Sequence, residues 1–98
     1  MNILTVEKLD KRHKGCEYFE FRIAIANAPL SVRLATYSEL RRFCWDTWGP
    51  SEELVVYLRL HYNDDRSPKW AWHLNDFDYP YIYLKSDEEL AFFKLKWM

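Results

Sequence analysis

Six stretches of the chain carry the pattern of a strand. Residues 2–9 (NILTVEKL) are moderately apolar and extended in character. Residues 17–27 alternate cleanly, with Phe19, Phe21, Ile23 and Ile25 on one side and Tyr18, Glu20, Arg22 and Ala24 on the other. Period-two alternation marks a half-buried strand, because successive side chains point to opposite faces of a sheet. Residues 54–62 repeat it, setting Leu54, Val56, Leu58 and Leu60 against Val55, Tyr57, Arg59 and His61. Residues 69–75 group Trp70, Trp72 and Leu74, and residues 81–85 set Ile82 and Leu84 against Tyr81, Tyr83 and Lys85. Phe93, Leu95 and Trp97 alternate with Lys94 and Lys96, which predicts a final strand.

Two helices interrupt the strands. Thr36 and Glu39 have the spacing of a capping box, in which each side chain satisfies an exposed backbone donor. Leu40, Phe43, Cys44 and Trp48 follow at helical spacing, Arg41, Arg42 and Asp46 face solvent, and Gly49 and Pro50 end the helix. Residues 28–35 stay ambiguous, although Pro29 argues against a central strand. Ser86 and Glu89 form a second capping box, and Asp87, Glu88 and Glu89 suit the positive end of a helix of about two turns. Between these elements lie the charged loop DKRHKG, whose Gly15 eases a hairpin turn, the turn-rich NDDRSP and the break DFDYP. The prediction is an α+β fold: an antiparallel-rich sheet of about five or six strands with two short helices packed on one face.

Composition fits one domain over residues 1–98. Ninety-eight residues leave little room for two cores, and 18% aromatic content supplies large buried areas to a small one. The net charge of −1 carries no global attraction for nucleic acid or membranes. No apolar run approaches the roughly 20 residues that span a bilayer. The N-terminal MNILTVEKLDK lacks the basic start and apolar core of a secretory signal, so a cytoplasmic protein with Cys16 and Cys44 as free thiols is expected. A Cys16–Cys44 disulfide would need an oxidising compartment.

Few residue patterns point to catalysis. His13 and Cys16 stand three apart, as zinc ligands do, but no second close pair completes a set of four. Asp76 and Asp78 form a D-x-D without further oxygen ligands, which reads as a solvated turn. No nucleophile elbow, phosphate-binding loop or H-E-x-x-H is present. A His61–His73 pair across neighbouring strands is the one proton-transfer arrangement available. The reading is a non-enzyme without cofactor or metal.

Strand parity gives the sharper expectation. If the more apolar faces pack under the helices, the opposite face gathers Tyr18, Arg22, Tyr57, Arg59, His61, Tyr81, Tyr83 and Lys85, with Lys94 and Lys96 able to join. Tyrosine and arginine are enriched at interfaces, and the same alternation serves as a stacking platform for single-stranded nucleic acid. Rings that only cover an open sheet are an equal alternative. Glu20 on this face and Asp76 and Asp78 at its rim oppose phosphate, so a protein partner is favoured over nucleic acid. The basic loop Lys11, Arg12, His13, Lys14 is a solvated hairpin tip in one reading and a phosphate or acidic-partner contact in the other. Exposed edges at residues 93–97 or 2–9 would allow a homodimer.

The tail YIYLKSDEELAFFKLKWM, in which a strand meets an acidic helix cap and then F-K-L-K-W, resembles the ends of small tailed-phage accessory proteins. The resemblance covers residues 81–98 and implies a virus-encoded protein that binds and modulates or inhibits a host or defence protein. It assigns no functional residue. The expected function is therefore protein docking through the tyrosine/arginine face, with single-stranded nucleic-acid binding as the alternative.

Overall fold

A computed structural model describes residues 3–10, 12, 18–51, 53, 69–74 and 79–98. Four strands form one sheet: β1 (Leu4–Lys8), β2 (Phe21–Ile25), β3 (Trp70–Leu74) and β4 (Pro80–Leu84). Their order is β1-β2-β4-β3, and every pairing is antiparallel. Helix α1 (Leu30–Trp48) follows β2, and helix α2 (Asp87–Trp97) follows β4. Among the described residues a strand–strand–helix order thus occurs twice, with β2 and β4 meeting at the centre of the sheet.

Side-chain parity puts Leu4, Phe21, Ile23, Ile25, Ile82 and Leu84 on the face that the helices cover. They form one core with Tyr37, Leu40 and Cys44 of α1 and Leu90 and Phe93 of α2. Tyr37, Leu40 and Cys44 lie three and four residues apart, the spacing of one helical face. Phe43 joins the two helices, its ring 5.8–6.3 Å from those of Trp48, Phe92, Phe93 and Trp97. The α+β class and the placement of both helices on one face follow the sequence reading.

Several boundaries differ from it. The capping-box start at Thr36 does not operate: α1 begins two turns earlier, directly after Pro29. Asn27 turns the chain there with a positive φ of 59°, and Arg33 donates to the Ala28 carbonyl at 2.7 Å, fixing the first turn. At the other end Gly49 does close the helix, with φ 91° and its N–H on the Trp45 carbonyl at 2.9 Å. That left-handed conformation explains glycine at this position.

The expected final strand over 93–97 is the last half of α2. Phe93 is fully buried and Trp97 partly so, whereas Leu95 is 87% exposed. Phe93 and Trp97, four apart, fall on one helical face; Leu95 falls on another. Among the described residues the sheet has four strands, so the expected five or six is not confirmed. The expected strand over 54–62 lies outside the described residues. Ser86 does open α2, but its hydroxyl donates to the buried Glu89 carboxylate at 2.7 Å and not to the backbone.

Phe19 also changes sides. Residues 18–20 are not part of β2, and the Glu20 N–H points at both the Leu84 and Lys85 carbonyls, 3.1 Å from each. The alternation breaks there. Phe19 is buried on the far side of the sheet, with Leu9, Ala71 and Tyr83.

Helix and strand predict different costs at the C-terminal positions. Phe93→Ala should destabilise the fold by about 3–5 kcal/mol, as loss of a buried ring does. Leu95→Ala should change it by less than about 0.5 kcal/mol. Denaturant melts of the two variants check this; comparable losses would mean a strand with both residues inward.

Candidate binding site

The residues expected on the tyrosine/arginine face divide. Tyr57, Arg59, His61, Asp76 and Asp78 lie outside the described residues, as do His13 and Cys16. Tyr18, Arg22, Tyr81 and Tyr83 are brought together on the sheet face away from the helices. The register sets Glu7 and Tyr83 on either side of Arg22, each as its direct cross-strand neighbour. The Arg22 Nε donates to Glu7 at 2.8 Å, its Nη2 makes a second contact to the same carboxylate oxygen, and its guanidinium lies 4.3 Å over the Tyr81 ring. Tyr83 is 3% exposed and packs its ring 6.0 Å from Phe19. Arg22 is thus held on several sides by its own chain.

Burial raises the Tyr83 phenol above its ordinary value, and neighbouring Arg22 opposes that rise only in part. The Arg22 guanidinium loses hydration by burial, yet Glu7 and Tyr83 more than restore its preference for the charged form. This face is a second small core around a satisfied ion pair. Of the basic loop, Arg12 is described. It is exposed and turned back on Asp10, with Nη2 to Oδ2 at 3.0 Å.

A second arrangement lies on the helix side, where α1 meets β3. Ser38, Arg41, Arg42 and Trp45 follow one another at three- and four-residue steps along α1. With Trp70 and Trp72 of β3 they line a groove of about 270 Å³. The Arg41 guanidinium lies 5.0 Å over Trp72 and 5.1 Å over Tyr37, so two rings fix its direction. Trp70 and Trp72 pack with ring centroids 5.3 Å apart, and Trp45 stands half exposed above them. Among the described residues neither Arg41 nor Arg42 forms an ion pair, although Asp46 lies one turn further along the helix.

The chain after α1 holds this groove in place. The Trp70 indole N–H donates to the Gly49 carbonyl at 2.9 Å, and the Ser51 hydroxyl donates to the Trp70 carbonyl. Glu53 makes a parallel bridge to Trp72 and meets the His73 Nδ1 at 2.6 Å. Gly49, Ser51 and Glu53 therefore tie the helix end to β3. The sequence pattern puts Arg41 and Arg42 toward solvent and Trp70 and Trp72 on one strand face, and the structure agrees on both. The missed signal is Trp45, an indole three and four residues from the two arginines on a helix face otherwise polar.

Among the described residues no group of three His, Cys, Asp or Glu is placed to hold a metal ion, and no helix is long and apolar enough to cross a membrane. Cys44 is a buried free thiol, and burial pushes its ionisation upward. The chain matches no family model, no curated protein and no solved structure.

Tyr37, behind the groove, gives a pH test. Burial raises its phenol from 10 to about 12; nearby Arg41 lowers it in part, and Glu53 raises it. Arg41 stands close enough to act on the charge, but not in hydrogen-bonding geometry, and the buried hydroxyl has no partner. Because the folded pKa exceeds the unfolded one, the unfolded chain loses this proton first as pH rises. The contribution of Tyr37 to stability should be constant below pH 10 and be lost between pH 10 and about 12. Tyr37→Phe should lessen that loss and leave neutral-pH stability equal or higher, since it removes an unpaired buried hydroxyl. Melting curves of both proteins across this range check the sign.

Proposed function

We propose that this chain is a small non-enzymatic binding protein that docks an acidic segment of a protein partner in the α1–β3 groove. The observation that carries this reading is the pair Arg41 and Arg42, both exposed beside three tryptophans and without an ion-pair partner among the described residues. Tryptophan and arginine dominate the energetics of protein interfaces, and a guanidinium already stacked between rings loses little freedom on meeting a carboxylate. The size of the groove supports a protein ligand. At about 270 Å³ it lies at the small end of ligand sites and suits one or two anchoring side chains. The favoured ligand is an extended or helical segment with one apolar or aromatic side chain for the Trp70–Trp72 floor and a neighbouring Asp or Glu for Arg42.

The resemblance of residues 81–98 to tailed-phage accessory proteins supplies a context for such docking. In that context the partner is a host or defence protein, and occupation of its acidic segment modulates or inhibits it. The tyrosine/arginine sheet face contributes less, because Arg22 is engaged by Glu7, Tyr81 and Tyr83.

Selection of a random peptide library on the immobilised protein tests the site. Enriched peptides should pair an acidic residue with an aromatic or large aliphatic one. Their affinity should fall at least about tenfold for Trp45→Ala and for Arg42→Ala, the scale of one interface anchor. Both positions are exposed, so the variants should keep the wild-type melting temperature. No enrichment, equal binding by the variants, or tighter binding of single-stranded DNA than of any acidic peptide would overturn the reading.

A further inference from the structure

The outward face of α2 is too apolar for a helix that ends against water. Its inward side buries Leu90 and Phe93 and partly buries Trp97. Ala91, Leu95 and Met98 are exposed, Leu95 at 87% and Met98 at 51%, and Phe92 is half exposed, one side of its ring against Phe43 and Trp48. Steps of three and four residues make them one continuous stripe. A surface helix normally carries polar residues there.

The charges of α2 specify what covers the stripe. Asp87 and Glu88 are exposed in the first turn, and Lys94 and Lys96 in the last turns. None of the four forms an ion pair among the described residues. They also cannot pair with each other along the helix, because they lie about two turns apart and helical ion pairs form at three or four residues. The helix is acidic at one end, basic at the other and apolar between.

We propose that α2 packs antiparallel against α2 of a second copy of this chain. A two-fold interface must be complementary to itself. An antiparallel pair meets that condition, bringing Asp87 and Glu88 of each copy to Lys94 and Lys96 of the other. A parallel pair sets like charges together. The midpoint of the charge pattern falls at Ala91 and Phe92, so the two-fold axis sets the small residue of one copy beside the ring of the other, and Leu95 packs in the adjoining turn. A membrane surface is a poorer fit, because the acidic first turn faces the same way as the stripe and opposes anionic lipid. An α2 of 11 residues is about 16 Å long, short for an interface, so the dimer is a weak one whose population follows concentration. This proposal is independent of the groove on α1.

Sedimentation velocity over a concentration series tests it with three proteins. Wild type should shift from monomer to dimer as concentration rises, and the shift should weaken in high salt. Leu95→Glu, at an exposed position, should keep the fold and stay monomeric throughout. The double variants D87K/E88K and K94E/K96E should each be monomeric alone, since each helix then carries one sign at both ends. Mixed in equal amounts they should form a heterodimer. A wild-type monomer at millimolar concentration, an L95E variant that still dimerises, or charge variants that fail to associate when mixed would overturn the proposal.

Discussion

The register between β2 and β4 governs this structure. These strands are distant in sequence and adjacent at the centre of the sheet, with Ile23 opposite Ile82 and Phe21 opposite Leu84. Side chains alternate across a strand, so a slip of β4 by one residue would turn Ile82 and Leu84 to the wrong face. Both are fully buried, as are Ile23 and Ile25 beside them. Each buried aliphatic side chain is worth about 1.5–3 kcal/mol, so the slip forfeits roughly 3–6 kcal/mol, a large share of the whole stability of a small domain. The same register sets Arg22 between Glu7 and Tyr83 on the opposite face. One pairing thus separates an apolar core from an ion-paired one.

The pairing of β3 with β4 extends that logic to the groove. Trp72 stands opposite Ile82 and Trp70 opposite Leu84, so both indoles share the helix face. The C-terminal half of α1 crosses above them, and the bond from the Trp70 indole to Gly49 fixes where the helix stops. Arg41, Arg42 and Trp45 are placed over the tryptophans by that geometry. The site is a consequence of the core and not an addition to it.

Much of this was legible in the chain. Alternation located β2 and β4 with their inward faces, extended apolar or aromatic runs located β1 and β3, and Gly49–Pro50 marked the end of α1, although Leu74, grouped with Trp70 and Trp72, is exposed. The failures have physical causes. Phe93, Leu95 and Trp97 satisfy a period of two, but Leu90, Phe93 and Trp97 satisfy a helical period equally well, and the acidic cap at Asp87 decides between them. Thr36 and Glu39 match a local capping motif that tertiary structure overrides, because the turn at Asn27 starts the helix two turns upstream. Phe19 follows the parity of β2 in sequence and leaves it in space, because the ladder breaks at Glu20. The groove was the least legible part. It combines residues from α1 with residues from β3, and the distance between them along the chain is closed only by the sheet order.

Both surfaces proposed for association use residues that the core leaves outside: the arginines and Trp45 of α1, and the outer stripe of α2. Each depends on the central pairing, since a displaced β4 would move β3, its tryptophans and the start of α2 together. Nuclear Overhauser contacts between backbone protons of the isotope-labelled protein test that pairing most directly. The structure predicts cross-strand contacts that set Ile23 opposite Ile82 and Trp72 opposite Ile82. Contacts that set Ile23 opposite Tyr81 or Tyr83 would contradict it.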